Sequence, residues 1–348
     1  MTDAHVVILH ATPGADAGPL TKAVAAARAA LAERHRERFT HAGATSVRIL
    51  AGPPDDVVFG ARVRLIARGL GRGGLVVLGS GAVPLLRGAD ASGFLAVAAR
   101  DERVALANNR YSADILAVAR ASEVLGGLPD LATDNAIPRW LAEKAGVDVS
   151  DLRRRWRLGV DIDSPMDLVL LGPGLARHLE HRDREVVEAR LEAVRAIASD
   201  PRAELLVAGR TSAAALGWLE RAAAARTRAF VEERGLRTSL PGQRPPASVL
   251  GLLLERDGPG SLGTHLARLA DAALVDSRVL LAHRLGSDEA GWPSAEDRFA
   301  SDLLLPERIA DPWLRELTAA IADAPIPVVL GGHTLVGPGL RLALRRRP

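Results

Sequence analysis

The sequence of 348 residues contains no cysteine, only two lysines (Lys22 and Lys144) and only 3% aromatic residues. Without cysteine, disulfides, thiolate nucleophiles, zinc–thiolate sites and iron–sulfur clusters are excluded. Any metal site must therefore use oxygen or nitrogen ligands. The 45 basic residues, nearly all arginine, face 42 acidic ones. The sequence pI of about 10.0 thus reflects the choice of arginine rather than a large excess of charge.

Positive and negative charges are spread evenly over the two halves of the chain. Binding of nucleic acid requires clustered positive charge that displaces counterions, so we expect no nucleic-acid partner. No stretch approaches the roughly 18 uninterrupted apolar residues of a membrane span, and the chain enters a strand-like run at Val6 without a charged and apolar leader. We therefore expect a cytoplasmic protein with no membrane partner.

The length predicts two domains, because single hydrophobic cores stop growing at about 250–300 residues. Short apolar runs bounded by glycine or proline alternate with helical stretches rich in alanine and arginine, which is typical of an α/β fold with a mostly parallel sheet between helices. The predicted division is a first domain over 1–178, a helical connector over 179–200, and a second, smaller α/β domain over 201–348.

The individual elements follow from the same pattern of apolar runs and breakers. Strands are predicted at 6–9, 47–50, 74–79, 104–107, 115–118, 204–209, 249–254, 272–281 and 327–330, and helices at 20–40, 60–68, 137–145, 166–171, 183–199 and 212–234. Apolar runs that do not alternate, such as 74–79, indicate strands buried on both faces.

The most specific motif is Asp-Ile-Asp-Ser-Pro-Met-Asp-Leu at residues 161–168. Carboxylates at positions i and i+2 of a strand end point to the same side, so Asp161 and Asp163 can approach one hard cation. Alternatively, the segment is an ordinary strand-to-helix turn, in which Ser164 caps the helix and Asp167 favours its positive end. The spacing alone leaves both interpretations open.

The motif resembles the Asp-(Ile/Val)-Asp-Thr-Pro-Glu-Asp-Leu segment of nucleotidyltransferases with the GT-A-like, nucleotide-diphospho-sugar transferase fold. It is closest to the 2-phospho-L-lactate (or phosphoenolpyruvate) guanylyltransferase group. Residues 105–112 lie where that group has its nucleotide and acceptor loop, and residues 134–145 are similar to its segment leading into a helix. The resemblance covers roughly residues 5–172.

The resemblance implies a GT-A/Rossmann-like first domain and a Mg²⁺-dependent reaction. A nucleotidyl group would pass from a nucleoside triphosphate to a small phosphorylated acceptor, with release of pyrophosphate. Asp161 and Asp163 would be the catalytic residues and the metal ligands. The residues expected to bind nucleotide or acceptor are Thr12, Gly14, Lys22, Asn108, Asn109, Ser112, Asp134, Asn135 and Arg139.

Two departures from the family pattern leave the activity open. Ala82 stands where the family has the acid of an Asp-Leu-Pro turn that helps to hold magnesium, and the loop at 11–19 lacks the family's basic, glycine-rich loop. Either Asp16 or Asp114 replaces the missing acid, or catalysis is lost. The alternative function is then a catalytically degenerate, regulatory protein that binds a nucleotide or sugar phosphate. The identity of the nucleotide and acceptor stays open, and a homodimer is compatible with the sequence.

Three other segments carry polar groups at predicted strand ends. The loop at 11–19 precedes a helix and either cradles phosphate or simply connects the two elements. The run 108–112 either faces a pocket at the edge of the sheet or forms a polar turn. In the second half, residues 209–212 either hold an anion or cap a helix, and His333 is either an acid, base or phosphate ligand or a structural histidine. A third hypothesis places the main activity in residues 200–348.

Overall fold

The computed structural model describes residues 2–132, 134–236 and 244–345. By its internal contacts the chain divides into two units. The first comprises Met1–Asp16 with Ala25–Ile162, and the second comprises Ala17–Val24 with Asp163–Pro348. The contacts thus divide the chain at Ile162, whereas the sequence predicts an end of the first domain at 178. Each unit contains a sheet flanked by helices, which confirms the predicted α/β class.

The first unit is built on a six-stranded sheet. Its strands are β1 (Ala4–Ala11), β2 (Ser46–Gly52), β3 (Gly74–Gly79), β4 (Val104–Ala107), β5 (Ile115–Val118) and β6 (Asp148–Asp151). Its helices are α1 (Pro19–His41), whose first turns belong to the second unit, α2 (Phe59–Arg68), α3 (Gly88–Ala98), α4 (Ala121–Leu125) and α5 (Ile137–Glu143). The strand order is β2-β1-β3-β5-β4-β6, and only β5 runs antiparallel to its neighbours.

Both faces of this sheet are covered by apolar side chains. Val7 and Leu75 contribute to the core on one face, and Val6, Ile8 and Phe94 to the core on the other. Because successive side chains of a strand point to opposite faces, an unbroken apolar run fills both cores at once. The central strand β3 therefore needs no alternation of polar and apolar residues, as the sequence predicts.

The second unit contains a four-stranded parallel sheet of β7 (Glu204–Gly209), β8 (Arg226–Val231), β9 (Ala272–Asp276) and β10 (Val328–Gly331), in the order β10-β9-β7-β8. Its helices are α6 (Pro165–Leu171), α7 (Pro173–Ala176), α8 (His181–Ala198), α9 (Ala213–Ala222), α10 (Val249–Asp257), α11 (Leu262–Ala267), α12 (Ser277–Leu285), α13 (Ala295–Asp302), α14 (Pro312–Ala322), α15 (His333–Val336) and α16 (Leu340–Ala343).

The helix predicted as a connector, α8, packs on strands of the second sheet and is part of that unit. Its buried side chains include Val187, Leu191 and Val194, which recur at helical spacing. Among the residues that the structure describes, no helix is both long enough and apolar enough to cross a membrane.

Three predicted elements of the second half are wrong. The helix predicted over 212–234 ends at Ala222, and β8 follows it as an edge strand, because pairing with β7 outweighs the helical propensity of the alanines. The strand predicted over 249–254 is instead α10, whose N-terminus Ser248 caps by accepting a hydrogen bond from the Gly251 N–H. The strand predicted over 272–281 ends at Asp276, whose carboxylate caps α12.

Each sheet has one point at which the chain changes direction across it. In the first sheet, β2 lies on one side of β1 and β3 on the other; in the second, β8 and β9 flank β7 in the same way. Open α/β sheets bind ligands outside the carboxyl ends of the strands at such switch points. A ligand site is therefore expected at the loops that follow β1 and β3, or at those that follow β7 and β9.

Candidate active site

Asp161 lies beside Ala82, the residue at which the sequence resemblance predicts an acid. Ala82, three residues after β3, forms an antiparallel bridge with Asp161, and the Ile162 N–H donates to the Gly81 oxygen across 2.9 Å. Residues that oppose one another in a bridge share a face, with Cβ atoms about 4.5–5.5 Å apart. The chain therefore places the Asp161 carboxylate next to Ala82, at the exit of β3.

The residue after Ala82 has a strained backbone. Val83 has a φ of 43°, and a β-branched side chain rarely adopts a positive φ. Its oxygen accepts a hydrogen bond from Leu86 N across 2.8 Å, and its side chain is fully buried. Strain of this kind costs of order 1–3 kcal/mol and persists only where the surrounding structure imposes it. It occurs here at the exit of the central strand, beside the switch point.

Two hydrogen bonds from side chains of α1 hold the bridge in place. The Nε2 atom of His35 donates to the Ala82 oxygen across 2.9 Å, and the Arg28 Nε donates to the Ile162 oxygen across 2.6 Å. A Cβ added at Gly81 would lie 2.8 Å from that same oxygen, so only glycine allows this approach. Burial lowers the pKa of His35 to about 4, which keeps the imidazole neutral. The segments that carry Ala82 and Asp161 are thus held by hydrogen bonds from two side chains to their main-chain oxygens.

A histidine also lies at the end of β1, on the other side of the switch point. His10 Nδ1 is 3.0 Å from the Ser80 Oγ, and the Ser80 N–H donates to the Leu9 oxygen. Burial, and then the charge of Arg28, lowers the pKa of His10. A neutral imidazole paired with a hydroxyl is therefore the polar group between the loops that follow β1 and β3.

The predicted ligand Asn108 already uses its whole amide. Its Nδ2 donates to Asp114 Oδ2 across 2.7 Å and to the Leu158 oxygen across 2.8 Å, while its Oδ1 accepts from the N–H groups of Asp114 and Ile115. An asparagine amide has two N–H donors and one acceptor oxygen, so nothing remains for a ligand unless one of these bonds breaks. Asn108 shapes the loop between β4 and β5 and positions Asp114.

The rest of this loop forms a polar turn. Asn109 Oδ1 accepts from the Tyr111 N–H, and the Ser112 N–H donates to the Asn109 oxygen. Asp114, which follows the turn, lines with Gly79 a cavity of about 80 Å³ that is otherwise mainly apolar. Small-molecule pockets begin at about 300 Å³, so this cavity admits a few water molecules but no nucleotide. Asp114, one of the two candidate replacements for the acid expected at residue 82, thus lies beside the end of β3.

The first loop is less suited to phosphate than its sequence suggests. Thr12 belongs to the first unit, where its N–H donates to the Gly52 oxygen, and Gly14 lies close to Asp16. Lys22 belongs to the second unit, where it is an exposed residue in the first turns of α1.

The N-terminus of α1 is occupied by a carboxylate of its own unit. Glu296 accepts from the N–H groups of Leu20 and Thr21 across 3.0 and 2.9 Å, and from the Thr21 hydroxyl across 2.8 Å. A Cβ on Gly18 would meet the Glu296 side chain at 2.2 Å. The N–H groups that would cradle a phosphate therefore already bind an anionic side chain.

Three further predicted ligands lie at the start of α5. Asp134, Asn135 and Ala136 form a 3₁₀ turn, and the side chain of Asp134 lies outside the described part of the chain. Asn135 is half-buried. Arg139 Nε lies 3.9 Å from Glu143 Oε1 on the surface of α5, a distance typical of a weak solvated pair.

The second half of the aspartate motif is a helix cap. Asp167 Oδ2 accepts from the N–H groups of Asp163 and Ser164 across 2.9 and 2.7 Å and from the Ser164 hydroxyl, which confirms the capping interpretation for these residues. Asp163 itself is exposed and belongs to the second unit, whereas Asp161 belongs to the first. Across residues 2–132, 134–236 and 244–345, no three acidic or histidine side chains form a metal-holding group.

The carboxyl edge of the second sheet carries a buried network that the sequence does not reveal. Arg210, at the end of β7, binds Asp276 of β9 through two nitrogens, with Nε–Oδ2 at 2.6 Å and Nη2–Oδ1 at 3.1 Å. Arg278 binds Asp302 in the same bidentate way. Both carboxylates are buried. Gly209 allows this arrangement, since its φ is 127° and an added Cβ would lie 2.3 Å from the Asp276 Cβ.

Two buried carboxyl groups of the second unit, Asp167 and Asp276, have pKa values shifted in opposite directions. Burial, followed by the charges of Asp163 and Asp302, raises the pKa of Asp167 to about 7. Burial opposes the ionisation of Asp276, but Arg210 outweighs it and holds the pKa of that carboxyl below its usual range. Within the described residues, Asp167 Oδ1 and Thr211 Oγ1 are buried without a hydrogen-bond partner. Ser212 accepts from the Ala215 N–H, which confirms that residues 209–212 provide a helix cap.

Comparison of the chain with protein-family models and with curated proteins gives no match. The resemblance of residues 161–168 to nucleotidyltransferases therefore stays a prediction, and the proposals that follow depend on the geometry of the residues described above.

Proposed function

We propose that the first unit is a divergent Mg²⁺-dependent nucleotidyltransferase. A nucleoside triphosphate binds over the carboxyl edge of the first sheet, an oxygen of a small phosphorylated acceptor attacks its α-phosphorus, and pyrophosphate leaves. The observation that carries this proposal is the bridge that puts Asp161 opposite Ala82. The carboxylate that the family pattern supplies from the position of Ala82 is supplied here from the facing segment.

The donor chemistry fits magnesium. Mg²⁺ prefers oxygen ligands and is commonly held by one or two carboxylates together with substrate phosphates, so a larger cluster of acids is unnecessary. Asp161 is the first candidate ligand, and the sequence motif adds Asp163. Asp114, oriented by Asn108 beside the end of β3, is the candidate for a further oxygen. The ion would neutralise charge on the phosphates, which is the main requirement of this class of reaction.

The protein contributes a preorganised loop. His35 and Arg28 hold the two segments of the bridge by their main-chain oxygens, and the strained Val83 begins the turn that follows Ala82. Charge stabilisation is most effective when the stabilising groups need no rearrangement during the reaction. A rigid Asp161 therefore suits a reaction that depends on positioning rather than on proton transfer.

The experiment measures pyrophosphate released from GTP, CTP, ATP or UTP with a panel of phosphorylated hydroxy acids and sugar phosphates. Release is expected with at least one pair and is expected to disappear in Asp161→Asn and Asp163→Asn. Asp148→Asn, which changes an exposed carboxylate on the edge strand β6, is the matched control and is expected to retain activity. Absence of release across the panel, with folded protein, contradicts the proposal.

A second candidate function is binding without turnover. Two observations favour it. Residue 82 is an alanine and not an acid, and the Glu296 carboxylate already occupies the N-terminus of α1. A regulatory protein of this kind would be stabilised by a nucleotide or sugar phosphate, by about 2.7 kcal/mol at a ligand concentration of 100 Kd, without releasing pyrophosphate. Cytoplasmic location and partners limited to small molecules belong to both proposals.

A further inference from the structure

A groove lined by two arginines lies in the first unit, between the second half of α1 and the first turns of α3. Its volume is about 410 Å³, within the usual range for small-molecule pockets. Arg34, Arg38 and His41 line it from α1, and Gly88 and Ser92 from α3. None of these residues takes part in the candidate active site.

Arg38 is the residue that points to a ligand. Its Nη1 atom is buried from solvent, and the structure gives this atom no hydrogen-bond partner among the described residues. Burial, and then the like charge of Arg34, lowers the pKa of Arg38. A guanidinium N–H that has lost its water without finding an acceptor is costly, since hydrogen bonds to charged groups are among the strong ones. The site is complete only when an anion supplies the acceptor.

The acid whose charge acts on Arg38, Asp90, does not fill this role. Asp90, in the first turn of α3, is buried and binds both Arg155 and Arg157, at 2.7 Å and 2.6 Å. Its Oδ2 also accepts from the Arg87 N–H across 2.9 Å. Its carboxylate is therefore shared by two other guanidinium groups, and its charge does not offset the burial of Arg38.

The helix dipole alone does not explain the cluster. Basic residues in the last turn of a helix are favoured by its dipole, and this explains why Arg38 and His41 occur at the end of α1. It does not account for a buried and unpartnered nitrogen, nor for two neighbouring arginines over one groove. Glu37 also lines the groove, so two guanidinium groups face one carboxylate.

We propose that this groove binds the phosphate group of a small molecule, at a site separate from the candidate active site. Arginine forks match phosphate oxygens in geometry as well as in charge. The Arg38 guanidinium donates to the phosphate, and the charge of Arg34 adds to its neutralisation. The His41 side chain is tied to its own helix, because its Nδ1 donates to the main-chain oxygen of Glu37 across 2.7 Å. The proposal does not depend on nucleotidyl transfer.

The test is calorimetric titration of the full chain, without divalent cations, with inorganic pyrophosphate in one arm and with a nucleoside monophosphate in the other. Binding is expected in at least one arm. A stronger response to pyrophosphate would identify an inorganic or polyphosphate ligand, and a stronger response to the monophosphate an organic one. Arg38→Gln and Arg34→Gln are each expected to weaken binding about tenfold or more, because each removes a charged hydrogen-bond donor.

Arg36→Gln is the matched control. Arg36 lies on the same helix but outside the groove, is half-exposed and pairs with Glu33 across 2.6 Å. It is expected to bind as the unmodified chain does, and so is Asp161→Asn, which separates this site from the active site. Because Arg34 is exposed, Arg34→Gln is expected to fold. It therefore tests the groove even if Arg38→Gln does not fold. No heat at millimolar ligand, unchanged binding in both groove variants, or equal weakening by Arg36→Gln would each overturn the proposal.

Discussion

The Nε2 atom of His35 donates a hydrogen bond to the main-chain oxygen of Ala82 across 2.9 Å, from an imidazole with no exposed surface. The ring joins α1 to the loop that carries the proposed site. Burial lowers its pKa from 6.5 to about 4, so the folded chain holds it neutral under conditions in which the unfolded chain protonates it. Stability is therefore coupled to pH through one side chain.

The first prediction concerns this coupling. The stabilisation is complete above about pH 6.5 and is lost as the pH falls from 6.5 towards 4, since the unfolded state then binds the extra proton. The full loss is at most about 3 kcal/mol. Denaturant unfolding at a series of pH values should show a smaller loss in His35→Gln, which keeps an N–H donor for Ala82 but does not titrate. An equal loss in both proteins would exclude His35 as the cause.

A second prediction concerns Asp167, whose pKa is raised to about 7. The folded state holds a proton that the unfolded state releases above 3.8, so the carboxyl costs stability progressively as the pH rises from about 4 to 7. Asp167→Asn keeps an oxygen to accept from the Asp163 and Ser164 N–H groups. The variant should therefore melt higher relative to the unmodified chain at about pH 8 than at about pH 5.

Asp183 provides the comparison for this prediction. It occupies the same position in the first turn of α8 and is also buried, but it binds Arg308 through both oxygens, at 2.5 and 2.8 Å. Asp183→Asn breaks an ion pair and is expected to lower the melting temperature at both pH values. If the two asparagine variants behaved alike, the raised pKa of the buried Asp167 carboxyl would not be the cause.

The elements that the sequence predicts well are those whose own residues specify them. In the run 74–79, consecutive apolar residues specify a strand buried on both faces. In the aspartate motif, Ser164 and Asp167 specify the start of a helix through a capping box. The run 249–254 does not, because a short apolar stretch fits a strand or a helix, and the hydrogen bond from Gly251 to Ser248 decides for the helix.

The charged pairs of the second unit show why the rest could not be predicted. Arg210 and Asp276 are 66 residues apart, and Arg278 and Asp302 are 24 apart. Each residue is conspicuous in the sequence, but only the parallel order of β7 and β9 brings the first pair together. In the first unit, the use of the Asn108 amide likewise depends on the Leu158 oxygen, 50 residues away.

The third prediction uses two glycines with a positive φ. Gly209 (φ 127°) would place an added Cβ 2.3 Å from the Asp276 Cβ, whereas Gly172 (φ 95°) has no atom within 4 Å of that position. Gly172→Ala should cost only backbone strain, of about 1–3 kcal/mol. Gly209→Ala should cost at least about 1 kcal/mol more in denaturant unfolding, because it also pushes Asp276 away from Arg210. Equal costs would mean that the close approach is relieved without loss.

The fourth prediction concerns the buried pair of Arg278 and Asp302. Removal of one partner leaves a buried charge and should cost about 3–5 kcal/mol, so Arg278→Met and Asp302→Leu are each expected to be strongly destabilised. The double variant should be more stable than the sum of the two losses predicts, and a double-mutant cycle in urea measures the difference. Additive losses would show that the pair contributes through packing and not through its charges.

The last prediction tests the relation between Ala82 and Asp161 directly. Ala82→Asp places two carboxylates opposite one another, and like charges at opposed positions are destabilising. Without divalent cations, the variant should therefore melt below Ala82→Asn, which has nearly the same volume and no charge. Millimolar Mg²⁺ should close this gap, because the two carboxylates would hold the cation in the folded state only. If Mg²⁺ stabilised both variants equally, Asp161 would not be a metal ligand from this position. If it closed the gap and also raised pyrophosphate release, the missing acid at Ala82 would be what limits the activity.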